Sequence, residues 1–447
     1  MQKKQKGLVW FRNDLRVNDN ESLTNAMAEN KSLIAMYSFD PRHFEQTSFG
    51  FKKTEKFRAK FLLETVTELK DNLEKMNISL LVYHEKPEDC IPKMVIENEI
   101  DTIYFQEEWT TEEMKVLENV KSKISDSVVF KPTYNQFLFH PEDVPFEINF
   151  IPNVFTQFRT KCEKYTKVKA ELLVLAMAKA NFLTNDTKIP SMEALGFSDF
   201  VSDSRTAFPF HGGENEALKR VEYYFWETKK LGVYKLTRNG LIGKDFSSKF
   251  SPWLANGSIS AKTLYWEIMN YEQHVGKNES TYWLIFELIW RDYFKYVSMK
   301  NGNSIFKIGG ILEKQYDWKT SKSAIQNWIN GTTAEPFVNA NMIELQQTGW
   351  MSNRGRQNVA SYFAKDLLLD WRIGAAYFES MLVDYDVHSN YGNWMYISGV
   401  GNDPRNRKFN IPLQAERYDG ESKFQKLWMQ QQEWLFLKAT ARKRFSL

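Results

Sequence analysis

At 447 residues the chain exceeds the roughly 250 to 300 residues at which a single core stops growing, so two domains are expected. Its 59 basic and 56 acidic residues leave a formal charge of +3, which excludes a chain-wide polyanion-binding surface and confines any such role to a local patch. Cys90 and Cys162 cannot form a disulfide framework or a structural zinc site, and the opening MQKKQKGLVWF holds too short an apolar run for a signal peptide or membrane span, so a cytoplasmic protein without a membrane partner is expected.

Short apolar runs alternate with helical patterns over residues 1–135, the signature of a parallel sheet covered by helices. The strands are expected at Leu8–Phe11, Ser32–Phe39, Ile78–His84, Thr102–Phe105 and Val128–Lys131. Leu62, Val66, Leu69, Leu73 and Met76 repeat at helical spacing between the second and third. This predicts a doubly wound α/β domain. The first turn, Phe11 to Arg16, has no glycine, and Gly7 and Gly50 are the only two in the first 150 residues, so a dinucleotide fingerprint is disfavoured there.

Residues 136–213 loosen into proline-containing stretches with one helical segment near 156–170, and read as a connector. From 214 to 447 helical patterns dominate: Glu214–Leu231, Ser260–Tyr271, Glu279–Ser298, Ser321–Trp328, Glu335–Thr348, Asn353–Asp370 and Arg372–Val383. The fold class expected is therefore an α/β doubly wound parallel-sheet domain followed by an all-α domain. Of 14 tryptophans, only Trp10 and Trp109 precede residue 200. A large helical core accounts for many of the rest, and a redox or stacking role for some is the competing use.

Three segments carry candidate chemistry. Ser247, Ser248, Lys249 and Ser251 offer hydroxyls, a cation and backbone N–H groups ahead of a helical pattern, a set that suits a phosphate but equally an ordinary cap. On a helix, Asn353, Arg356 and Gln357 share a face, and Arg354 points elsewhere. Asp384, Asp386 and Asn390 fall in an expected turn. With His388 as the sole nearby histidine and arginines upstream, ion pairing is a plainer use of the two aspartates than metal binding.

The strings SSKFSPWLANG, FELIWRDYF, NANMIELQQTGWMSNRGRQNVASYFAKDLLLDW and DYDVHSNYGNWMYISGVGNDPR, with WFRNDLRVNDN at the start, resemble the photolyase/cryptochrome family and its DASH branch over almost the whole chain. The resemblance implies FAD in the helical domain, with Tyr234, Ser247, Ser248, Lys249, Phe250 and Ser251 at its phosphates and ribityl chain. It implies that Glu287 reaches the substrate and Arg291 the cofactor. Arg356 would pair with Asp384 beside the isoalloxazine, with Asn353 alongside, Asp386 at its polar edge and Asn390 facing its N5. Trp394, Trp371 and Trp318 match the family's electron relay.

The implied reaction is light-driven splitting of cyclobutane pyrimidine dimers, with Glu287 stabilising charge on the substrate and Trp290, Gln357 and Tyr396 contacting it. Gln357 and Tyr396 stand where many duplex-repairing enzymes carry Met and Trp. A smaller ring compensates flipping less, so single-stranded or looped DNA is the expected partner, with RNA as a competitor and a monomer as the assembly. Asn353 and Gln357 occupy the positions of the histidine pair that (6-4) repair requires, and neither can act as a general acid, which excludes that substrate.

A methenyltetrahydrofolate antenna is expected between the domains, with Glu108 as its carboxylate and Trp109 stacked on the pterin; a deazaflavin is the rival. Ala334, Glu335 and Asn339 depart from the branch in a loop expected near the cleft. The alternative function is a blue-light sensor without repair, against which the stop at Phe445-Ser446-Leu447, soon after the last helix, is weighed.

Overall fold

The structure is a computed structural model that describes residues 4–403 and 405–429. Five strands, β1 (Lys4–Trp10), β2 (Asn30–Ser38), β3 (Leu80–Tyr83), β4 (Thr102–Gln106) and β5 (Val129–Thr133), form one sheet in the order β3-β2-β1-β4-β5. Every pairing is parallel; Val9 of β1 faces Ala35 on one side and Tyr104 on the other. Successive side chains point to opposite faces. Val9, Ala35 and Tyr104 join a core with Val66, Leu69 and Leu73, whereas Leu8, Trp10, Ile34 and Met36 join a second with Ile91, Met94 and Leu117.

Helices α1 (Glu21–Glu29), α2 (Lys56–Lys75), α3 (Pro87–Glu97) and α4 (Thr111–Lys121) belong to this domain. The following stretch contains α5 (Phe155–Tyr165), which ends earlier than the sequence suggests. Met192, Leu195 and Phe197 of the same stretch are buried in the sheet's first core, so it is packed rather than tethered.

The helical domain comprises α6 (Glu214–Val221), α7 (Tyr234–Thr237), α8 (Ser251–Ala255), α9 (Ala261–His274), α10 (Glu279–Asn301), α11 (Lys322–Asn330), α12 (Pro336–Thr348), α13 (Asn353–Ser361), α14 (Trp371–Met381), α15 (Val387–Ser398), α16 (Ile411–Asp419) and α17 (Lys423–Trp428). Asn278 closes a capping box at the start of α10, the 23-residue spine against which α15 packs.

Three expectations fail for local reasons. The helix expected over 353–370 ends at Ser361 in a wider π-turn, Tyr362–Asp366, after which Leu368 takes a left-handed φ of 53°. The helix expected over 214–231 breaks similarly at Glu222–Glu227, before Lys229 at φ 52°. Asn390 lies on α15, not in a turn: Asp386 accepts from Ser389 N at 2.7 Å and starts the helix there.

Buried carboxylates and a guanidinium join the domains. Glu214 accepts from Val17 N and Asn18 N at 2.8 Å, Asp292 from Leu138 N and Phe139 N, and Arg16 donates to the Gly257 carbonyl at 2.9 Å. At Gly257, φ is +75° and a Cβ would lie 2.0 Å from the Asn13 carbonyl oxygen, so only glycine permits this approach.

Candidate functional site

A cavity of about 550 Å³ opens in the helical domain, within the range of small-molecule and cofactor sites. It gathers Tyr234, the run Ser247 to Ser251, Glu287, Trp290, Arg291, Asn353, Arg356, Gln357, Asp384, Asp386 and Tyr396. Residues from six separate stretches of sequence thus converge on one site.

Arg220 fixes the serine run from behind, donating to the carbonyls of Lys244, Ser247 and Ser248. Lys249 has φ +66° and Phe250 φ −75°, a change of hand of the kind found in backbone anion cradles. The helix behind it, α8, is only five residues long, so the cradle rests on the turn and the Lys249 charge. Burial pushes the Lys249 pKa down, with the buried Glu344 carboxylate working against that fall. Trp350 lies under both cations, 4.6 Å from Lys249 Nζ and 5.5 Å from Arg356 Cζ.

Arg356 Nη2 donates to both carboxylate oxygens of Asp384 at 2.9 Å, and its Nε donates to the Met351 carbonyl. Glu287 is paired with Arg238 at the cavity wall. Burial raises the Glu287 pKa, opposed by that guanidinium. Trp290 stacks on Phe155 with centroids 3.7 Å apart and meets Tyr396 edge-on at 5.9 Å. Tyr396 Oη accepts from Arg407, and Gln357 Oε1 accepts from Arg354, so arginines hold both side chains.

Other expected site residues are placed differently. Asn390 and Trp394 border a smaller adjoining cavity, where Asn390 Nδ2 donates to the Ala375 carbonyl at 3.0 Å. Trp394 packs against Phe363, Phe378 and Trp328. Trp371 is fully buried and donates to the Ile308 carbonyl, and Trp318 is partly exposed beside Tyr316. Arg291 is not devoted to one ligand: it donates to the carbonyls of Gln136 and Leu254 and borders two cavities. Arg354 does not point away, since it also lines the main cavity. Ala334, Glu335 and Asn339 border none of the three cavities described here; Asn339 is buried and ties its own loop through Thr333.

A second cavity, of about 460 Å³, lies between the domains. The strand order reverses between β1 and β4, and ligands of doubly wound sheets bind outside the carboxyl ends of the strands at such a point. Asn13, Gln106 and Glu108, at or just beyond those two strand ends, line the cavity together with Gln136, Arg291, Lys295, Asp386 and His388. Glu108 is buried, accepts from Gln106 Nε2 at 2.9 Å, and has its pKa raised by burial. The expected stacking of Trp109 on a ligand is not what the structure has. Trp109 is outside the cavity lining and already stacked on Phe137 and on His388, at 5.6 and 4.6 Å.

Arg291 and Asp386 border both cavities. Burial works against the Asp386 charge, but Lys295, 3.1 Å away, holds the carboxyl well below the usual carboxylate range. Sequence reasoning missed Arg238, Glu344 and Trp350. Arg238 was findable as the position one helical turn after Tyr234; Glu344 had no signal, because only burial distinguishes it from a solvated helix glutamate.

A helical domain with a charged, aromatic-walled cleft beside the Lys249 turn, set against a parallel-sheet domain, is the architecture of a protein of the photolyase type. Residues 283–441 match the FAD binding domain of DNA photolyase, and residues 7–175 match DNA photolyase. The chain is 45% identical over 424 residues to cryptochrome DASH of Gloeobacter violaceus, covering 94% of this chain and 85% of the relative. It is 46% identical to that of Danio rerio, covering 94% and 82%. Among solved structures, a Synechocystis cryptochrome matches with a TM-score of 0.91 at 43% identity, covering 96% of this chain and 89% of that one. An archaeal photolyase from Sulfolobus tokodaii, solved with two FAD molecules, matches with a TM-score of 0.76 at 26% identity, covering 95% and 90%. The chain belongs to the photolyase/cryptochrome family, and it carries that family's FAD-binding domain.

Proposed function

We propose that the protein is a blue-light-dependent flavoprotein that splits cyclobutane pyrimidine dimers, preferentially in single-stranded or looped DNA. One observation carries the reading: Glu287, Trp290, Gln357 and Tyr396 line the same cavity as the Lys249 cradle and the Arg356–Asp384 pair. A dimer and a flavin would therefore share one chamber. The residues fit FAD: besides the cradle, Trp350 Nε1 and Arg354 Nε are buried donors without a partner among the described residues, on residues lining this cavity.

Bound, reduced FAD would supply one photoexcited electron to the dimer and recover it after the ring opens. The protein's part is placement and charge. Glu287 would hold the base edges where negative charge develops. Trp290 and Tyr396 would stack on the extruded bases, and Arg238, Arg354 and Arg407, which line the cleft, form the local basic patch for the phosphodiester backbone. Tyr396 offers less area than an indole, so repayment for flipping is small and unpaired strands are favoured.

Trp394, Trp371 and Trp318 would relay electrons to the flavin. Trp371→Phe is expected to slow photoreduction by an external thiol while FAD content holds; unchanged photoreduction would remove Trp371 from the relay.

The second cavity fits a light-harvesting methenyltetrahydrofolate. Gln106 Nε2 is committed to Glu108 and Gln136 Nε2 to the Glu107 carbonyl, and both Oε1 atoms are buried without a partner among the described residues, on residues lining this cavity. A pterin's ring N–H and amino groups are suited to such acceptors.

The test is anaerobic illumination of photoreduced protein with a thymine dimer in a single-stranded oligonucleotide, against a dark control. Ring splitting only in the light is expected. No splitting, with FAD bound and photoreducible, would overturn the repair reading in favour of a light sensor.

A further inference from the structure

His388 sits on α15, two residues beyond Asp386, at the wall of the second cavity, and is 2% exposed. Its Nδ1 lies 2.7 Å from Ser298 Oγ on α10. That same oxygen lies 2.8 Å from Trp109 Nε1 and 2.7 Å from the Lys295 carbonyl oxygen. A hydroxyl has one hydrogen and two lone pairs, so the three contacts settle who donates.

The Trp109 indole can only donate, and it takes one lone pair. The Lys295 carbonyl can only accept, and it takes the hydrogen. What remains for His388 is the second lone pair, so Nδ1 carries the proton. The opposite tautomer would turn the hydroxyl toward Nδ1 and leave two oxygens 2.7 Å apart with no hydrogen between them.

Burial pushes the His388 pKa well below its ordinary value, and the Lys295 charge adds to this while Asp386 opposes it. The ring is therefore neutral, with a bare lone pair on Nε2. That nitrogen is buried and has no hydrogen-bond partner among the described residues.

The geometry points to His388 as a specificity-determining acceptor of the second cavity, its Nε2 taking a hydrogen bond from a ring N–H or amino group of a planar heterocycle bound there. This rests on the antenna reading of that cavity. Gln106 Oε1 and Gln136 Oε1 add two more unpartnered acceptors, so the site selects a ligand with several N–H donors. Trp109 becomes a positioning residue: it stacks on His388 and, through Ser298, fixes which nitrogen is bare. A neutral imidazole held this way keeps one hydrogen-bonding sense, which a freely rotating hydroxyl or amide would not.

The test uses FAD-loaded protein stripped of any second chromophore and titrated with 5,10-methenyltetrahydrofolate by absorbance, for the wild type, His388→Phe and His388→Gln. Nitrogen-15 spectra of histidine-labelled wild type are recorded alongside, without and with the folate. Expected are binding by the wild type, at least tenfold weaker binding by His388→Phe, and partial recovery in His388→Gln, whose amide oxygen restores an acceptor. The Nε2 resonance is expected to be that of an unprotonated nitrogen and to move when the folate binds. Equal binding by wild type and His388→Phe would overturn the assignment of His388 and leave the antenna reading standing. A protonated Nε2 in the folate-free protein would overturn it whatever the titration gives. No binding by the wild type would instead sink the antenna reading, and the assignment with it.

Discussion

The two large cavities, both walled in part by charged side chains, differ in the polar groups they leave unpaired. The helical-domain cavity is framed by full charges already paired, Arg356 with Asp384 and Arg238 with Glu287, with buried Lys249 and Glu344 close by. The interdomain cavity is lined by Gln106, Gln136 and His388, each carrying a buried neutral acceptor with no partner among the described residues. Paired charges set a rigid frame that tolerates a polyanionic cofactor; single neutral acceptors wait for a ligand to complete them. Lys295 and Asp386 stand where the two cavities meet, and substitutions there and on either side test the contrast.

The largest effect is expected at Lys295→Met. Lys295 and Asp386 are both buried, and removing one partner leaves an uncompensated charge, which costs about 3 kcal/mol. Urea denaturation should show that loss, with both chromophores retained less well. The sign with pH follows from the depressed Asp386 pKa. The stability it lends is complete above its unfolded value of about 4 and is lost as the pH falls through the lower folded value. The difference between wild type and variant should therefore narrow on acidification, and a difference that widens would contradict the assignment.

Glu287→Gln comes next, and it should act on one cavity alone. Repair is expected to fall about tenfold, equivalent to about 1.4 kcal/mol of transition-state stabilisation, with FAD and antenna content unchanged. Single-turnover flash kinetics would read this, and loss of FAD in the variant would show Glu287 to be structural. The smallest effect is expected at Gln106→Leu, on the other cavity. Losing one neutral acceptor should weaken the second chromophore by about 1 kcal/mol and leave repair by directly excited flavin untouched.

How much of this was legible in the sequence follows the same divide. The inner strands β1, β2 and β4 were readable because both faces of the sheet are buried there, which gives short apolar runs such as Leu8 to Phe11. The main cavity was readable because contiguous motifs build it, with Ser247 to Ser251 in one turn and Asn353, Arg356 and Gln357 on one helix face. The π-turns at Glu222–Glu227 and Tyr362–Asp366 were not, since apolar spacing does not register one extra residue in a helical turn. The second cavity was anticipated only through the family resemblance, at Glu108. Asn13, Gln106, Gln136 and His388 are far apart in sequence, and the strand order together with the packing of the helical domain on the sheet brings them together. His388 drew notice in the sequence only as a poor metal ligand; its role depends on Ser298 and Trp109, which no spacing connects to it.

The most direct test of the central claim is photorepair, under anaerobic conditions, of one thymine dimer placed in matched single-stranded and duplex oligonucleotides. Repair of the single strand with little or none of the duplex is the result expected from the modest stacking area of Tyr396 and the arginine-held Gln357. Equal repair of both would contradict it.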